Sequence, residues 1–122
     1  MGLVERLRRA APGRQHAGRM QAVWDGVVLA ESEDTIVLEG NHYFPPESLD
    51  RRYFSPSSHR TVCPWKGCAS YYAIEVDGKR DDAAAWHYPD PAPAAARIKD
   101  RVAFWHGVRV IAAPDSGEGE WS

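Results

Sequence analysis

Cysteine and methionine are scarce in this sequence: 122 residues carry two of each. Cys63 and Cys68 cannot build the multi-disulfide framework that staples small secreted domains, and a chain of this length buries enough surface to fold without one. No apolar run approaches the roughly 18 residues of a membrane-spanning helix, and no apolar segment with a small-residue cleavage site opens the chain. These features exclude a helical membrane partner and lead us to expect a soluble, cytoplasmic protein. Internal repeats are missing, and long helical periodicity is missing too. With 43% apolar residues the composition suits one modest globular core.

Net charge is only -2, but its distribution is uneven. Before Met20 stand five arginines against Glu5, whereas the remainder holds ten basic and sixteen acidic residues. Residues 1–19 therefore read as a basic, disordered arm, residues 20–111 as one folded domain and residues 112–122 as a disordered tail. An arginine arm can hold phosphates, yet a nucleic-acid protein needs a basic body, and this body is acidic. Nucleic acid is disfavoured as a partner.

What the sequence has in abundance is turn signals between short β-branched and aromatic stretches. Asp25-Gly26 and Asp77-Gly78 supply the positive φ angles of two-residue hairpin turns, and His106-Gly107 marks a third turn. Residues 21–24, 27–30 and 35–39 then read as a meander of three strands, and residues 102–105 and 108–111 as a last hairpin. Residues 50–60, rich in Ser, Arg and Pro, read as irregular surface. Residues 94–101 read as the one helix, opened near Pro93 and carrying its cations late. The fold class is mainly β: an antiparallel rolled sheet with one short helix near the C-terminus.

The chemistry concentrates in Thr61-Val62-Cys63-Pro64-Trp65-Lys66-Gly67-Cys68, a hairpin whose tip places Trp65 beside Lys66. Cys63 is the candidate nucleophile, since a nearby cation would favour its thiolate; a buried strand thiol is the competing assignment. Cys63 and Cys68 could also face each other across the hairpin as a redox pair. His42, His87 and His106 lack local metal-ligand spacing, so no metal is assigned and the cofactor stays open. By strand alternation Tyr71 and Tyr72 point to opposite faces, as do Trp86 and His87. The aromatics are too many for so small a core, so some line a cleft or an interface. The candidate residues of a pocket are Glu39, Asn41, His42, Tyr43, Trp65, Lys66, Tyr72, Trp86 and Tyr88, with Glu47 a further polar neighbour.

Four of these stretches, residues 39–46, Cys63-Pro64-Trp65-Lys66-Gly67 with Ala69 and Tyr71, Trp86-His87-Tyr88-Pro89, and Val102-Ala103-Phe104-Trp105, together resemble the bacterial domain of unknown function 427. The resemblance covers residues 20–111 and implies a β-tent fold similar to that of methionine sulfoxide reductase B. It implies no established activity. Some members carry a nucleotidyltransferase label, but the chain has no Gly-Ser followed by paired aspartates on a strand; Asp81-Asp82 falls beside a turn. Zinc-binding relatives of that fold use two paired-cysteine motifs, and two cysteines with four residues between them exclude such a site within one chain. Two functions of different kind stay open: a small-molecule ligand site, with or without Cys63 catalysis, and a module that binds another protein or forms a homodimer.

Overall fold

The computed structural model describes residues 13–114. Ten strands run through it: β1 (Arg14–His16), β2 (Met20–Trp24), β3 (Val27–Ser32), β4 (Thr35–Leu38), β5 (Asn41–Tyr43), β6 (Phe54–Cys63), β7 (Gly67–Val76), β8 (Lys79–His87), β9 (Val102–Phe104) and β10 (Arg109–Ala112). They form three antiparallel sheets, ordered β1-β4-β5, β10-β2-β3 and β6-β7-β8-β9. The fold is mainly β, as the turn signals require. No helix among the described residues is long and apolar enough to cross a membrane.

Alternation along the four-stranded sheet gives each of its faces an apolar cluster. Val102 and Phe104 of β9, with Ile74 and Val76 of β7, pack with Met20, Ala22 and Leu29 from the β10-β2-β3 sheet. Ala103 and Tyr71, on the other parity, pack with Ile36, Leu38 and Tyr43 from the β4-β5 hairpin, and with Tyr88 and Ile98. Phe44 ties the layers, exchanging backbone hydrogen bonds with Val102 at 2.8 and 2.9 Å.

Turns at Asp25-Gly26 and Asp77-Gly78 have the expected positive φ, at 53° and 79° and at 50° and 81°. Beyond these hairpins the pairing departs from local expectation. β4 leaves β3 and pairs with β1 and β5, so the three-strand meander does not form. The 105–108 turn exists, with Val108 N–H donating to the Trp105 carbonyl at 3.1 Å, but β9 pairs with β8 and β10 with β2. β9 is buried throughout, whereas β10 has no buried residue and lies at the edge of its sheet beside β2.

Three further expectations are corrected. Residues 94–101 are not an α-helix: Pro93–Ile98 makes tight turns with i to i+3 hydrogen bonds, broken at Ala95 (φ -114°, ψ 22°). Buried Ala95 and Ile98 sit three apart, the spacing a three-residue turn aligns, and Lys99 and Asp100 leave helical geometry at once. Residues 50–60 are not irregular throughout, because β6 starts at Phe54. The basic arm is a strand at its end: β1 pairs with β4, Gln15 Nε2 donates to Asp34 at 2.8 Å, and Arg97 bonds the Gly13 carbonyl. Residues 1–12, and most of the expected tail, lie outside the described residues.

Candidate functional site

A two-residue turn places Glu39 where the site begins. Glu39 and Gly40 join β4 to β5 with φ of 54° and 80°. Glycine adopts this region freely, whereas a glutamate there carries steric strain of about 1 kcal/mol or more. The strained side chain reaches the tip of the β6-β7 hairpin, where its carboxylate accepts from the Lys66 ammonium and, at 3.2 Å, from Trp65 Nε1.

Lys66 itself is buried, an unusual place for a lysine, with only 9% of its side chain exposed against 46% for Glu39. Two features put it there. The Gly67 φ of 114° folds the tip back, and the Lys66 carbonyl accepts from Ala92 N–H at 2.8 Å, so residues 90–92 cover the turn. A Cβ on Gly67 would meet the Asp90 carbonyl and Ala92 amide at 3.4 Å. The tip is therefore docked rather than free.

Inside, the ammonium lies 5.5 Å from the Trp65 ring centroid and 5.6 Å from that of Tyr88. Both contacts are within cation–π reach. Tyr43, fully buried, accepts from Trp86 Nε1 at 3.2 Å and meets the Trp86 ring edge-on.

Ionisation follows from this packing. Burial works against the Lys66 charge, but the Glu39 hydrogen bond and the neighbouring Tyr43, Tyr88 and Glu39 outweigh it, leaving its pKa raised. The hydrogen bond from Lys66 holds the Glu39 carboxyl below its usual range despite partial desolvation. Burial pushes the Tyr88 phenol up to about 12 and raises that of Tyr43, so both are neutral hydroxyls at physiological pH. The site thus offers one fixed cation, one half-exposed anion and neutral aromatic walls.

The structure gathers Glu39, Tyr43, Cys63, Trp65, Lys66, Trp86 and Tyr88 of the sequence-derived set around one cluster. Asn41 stands half-buried opposite Leu38, two residues before Tyr43 and on the same strand parity. His42 points the other way: its Nδ1 pairs with Thr35 Oγ1 at 2.9 Å, and its ring meets His16 edge-on. Tyr72 lies on the opposite sheet face, stacked on His87 at 4.6 Å. Neither packs into the Lys66 cluster. Glu47 lies in the separate turn Pro46–Ser48.

The two cysteines occupy different surroundings. Cys63 pairs in register with Gly67, and Cys68 with Val62, so their side chains leave opposite faces of the ladder. Both are free thiols; Cys63 is half-buried against the Lys66 cluster and Cys68 is exposed. The facing pair that the loop length left open does not form, because the three-residue tip offsets the two sulfurs by one position.

Sequence reasoning missed a second aromatic run at the edge of this cluster. Tyr71 receives His59 edge-on at 4.5 Å and hydrogen-bonds Thr61 at 3.0 Å, while Trp105 packs on Trp86 and stacks on His106. Asp81, near the Asp77-Gly78 turn, bonds His106 Nδ1 at 2.9 Å. Among the described residues no three His, Cys, Asp or Glu side chains gather as a metal-holding group.

A family model described as "Domain of unknown function (DUF427)", and labelled NTP_transf_9, matches residues 14–113. The chain belongs to this family. Its match begins at β1 and runs just past β10, so the strand before Met20 is part of the family's domain. No curated protein matches the chain.

Proposed function

We propose that this family member binds a small anionic ligand at the Lys66 corner. The observation that carries this reading is the asymmetry of the Glu39–Lys66 pair: the cation is buried and fixed, while its carboxylate partner is half-exposed on a strained turn. A ligand carboxylate or phosphate replacing Glu39 would keep the ammonium neutralised. The Trp65 and Tyr88 faces would cover an apolar or planar portion of the same ligand.

Cys63 borders this cluster and is the nucleophile the site would offer an electrophilic ligand. The covalent step is separable from binding. Native mass spectrometry of the protein purified from cells, beside Lys66→Met, tests the binding reading: a retained small molecule lost in the variant supports it, and identical masses with unchanged melting on benzoate or phenyl phosphate addition reject it. For Cys63, alkylation kinetics of Cys63→Ser and Cys68→Ser variants decide whether the half-buried thiol is reactive at all.

One observation favours an interaction module instead. Val62 is 76% exposed and Trp105 is 42% exposed, an apolar presentation on the long β6 strand and beside the aromatic run. Such residues suit a protein contact or a homodimer, and sedimentation of the wild type against Trp105→Ser separates the two assignments.

A further inference from the structure

We propose a second ligand site, distinct from the Lys66 corner, in a cleft framed by two facing bulges of the four-stranded sheet and taking an oxyanion of a small polar molecule. Its framework is written in the register. On β6, Pro56 pairs with Tyr72 and Arg60 with Ser70, so residues 57–59 stand opposite the single residue Tyr71. On β8, Ala85 pairs with Tyr72 and Asp81 with Ile74, so residues 82–84 stand opposite Ala73. Both strands flanking β7 thus bulge at nearly the same level. Bulges re-aim side chains and recur beside functional sites.

The bulges bound a common open cleft of about 810 Å³, lined by residues 56–60 on one side and by Arg80, Asp82 and Ala83 on the other. Its volume falls in the range of small-molecule sites, and its two walls stand about two strand spacings, roughly 9–10 Å, apart. The lining is mostly polar, unlike the aromatic Lys66 corner, and Ala83 is the one lining residue that also packs against that aromatic cluster.

Donors converge on the β6 wall. Ser57 Oγ accepts from His59 N–H at 3.1 Å, leaving its own hydroxyl proton to donate. Arg60 Nη1 is tethered by the Ser57 and His59 carbonyls at 2.7 and 2.8 Å, which fixes the guanidinium and leaves Nε and Nη2 available. Arg60 forms no salt bridge among the described residues, whereas Arg80 across the cleft is neutralised by Asp82 at 2.6 Å and Glu75 at 3.4 Å. Arg60 therefore supplies the uncompensated charge. A planar guanidinium beside hydroxyl donors matches the oxygens of a phosphate or a carboxylate. His59, held edge-on to Tyr71, lines the same wall.

Isothermal titration of the full chain at low ionic strength, with inorganic pyrophosphate in one arm and citrate in the other, tests the site and separates the two oxyanion sources. In a Lys66→Met background, which removes the cation of the other corner, we expect saturable 1:1 binding of at least one probe, weakened tenfold or more when Arg60→Gln is added. Binding equal in Arg60→Gln, or no saturable binding of either probe, overturns the proposal. Because Arg60 is exposed, the variant is expected to fold; the His59 ring proton shifts of the wild type provide the readout independent of it. Pyrophosphate and citrate both leaving those shifts unmoved also overturns the site. Loss of binding in Lys66→Met alone would move the probe to the Lys66 corner and equally reject this cleft.

Discussion

The Lys66 ammonium is held by Glu39, a residue that reaches it from a left-handed turn (φ 54°) 27 residues earlier in the chain. A turn position that favours glycine is thus occupied by the side chain that neutralises a buried lysine. This pair latches the β4-β5 hairpin onto the β6-β7 tip, and its two halves respond differently to substitution.

Glu39→Gln leaves a buried ammonium without its anion and should cost about 1–2 kcal/mol, a modest value because the carboxylate is half-exposed. Lys66→Met removes the charge together with its desolvation cost and should be the milder change. Glu39→Gly should be about 1 kcal/mol more stable than Glu39→Ala, since both lose the latch and only glycine relieves the positive φ. Urea denaturation of the four variants checks the order; Lys66→Met being the most damaging would reverse the assignment of strain and charge.

Mild acid should weaken the fold through two histidines. His87 is held below its ordinary pKa chiefly by burial, with Arg60 and Arg51 acting in the same direction and Asp100 opposing, and its buried Nδ1 has no hydrogen-bond partner among the described residues. His42 is lowered by burial and then by His16 and Arg14. The unfolded imidazole takes its proton near ~6.5, so just below that pH the unfolded chain binds more protons than the folded one. The stabilisation is complete above about pH 6.5 and is lost as pH falls through the lower folded values. Melting temperature measured from pH 7.5 to 5 should fall, and His87→Gln should flatten the decline. The Glu39–Lys66 latch fails only at lower pH, as the depressed Glu39 carboxyl protonates.

Truncation to Met20 should destabilise the domain. It removes the whole of β1, including the Gln15 bonds to Asp34 and Thr35 and the His16 contact with His42. A loss of 1 kcal/mol or more corresponds to a drop of about 4–8 °C in a domain near this size. Unchanged melting would show that β1 contributes nothing to the sheet's stability.

Mild oxidation should not join Cys63 to Cys68 within one chain. Their side chains leave opposite faces of the hairpin, a geometry that a disulfide does not span. Intact-mass measurement after treatment with oxidised glutathione should show adducts, first on exposed Cys68, and no loss of two hydrogen atoms in the monomer.

The alternation of β7 to β9 and the Asp-Gly turns were legible in the sequence, because strand parity and positive φ are local properties carried by side-chain type. Tyr71 and Tyr72, like Trp86 and His87, indeed go to opposite faces, and Trp65 does sit beside Lys66. Partner choice was not legible: β4 satisfies its backbone equally well beside β3 or beside β5, and only burial of Ile36 and Leu38 against Tyr43, Tyr88 and Ile98 selects the second. The same holds for residues 94–101, whose alanines favour a helix locally while the burial of Ala95 and Ile98 demands tighter turns. Glu39 and Lys66 were each visible as polar residues near aromatics. That they meet was decided by the tertiary structure alone, since a contact across 27 residues depends on how two hairpins stack, and no local pattern encodes that stacking.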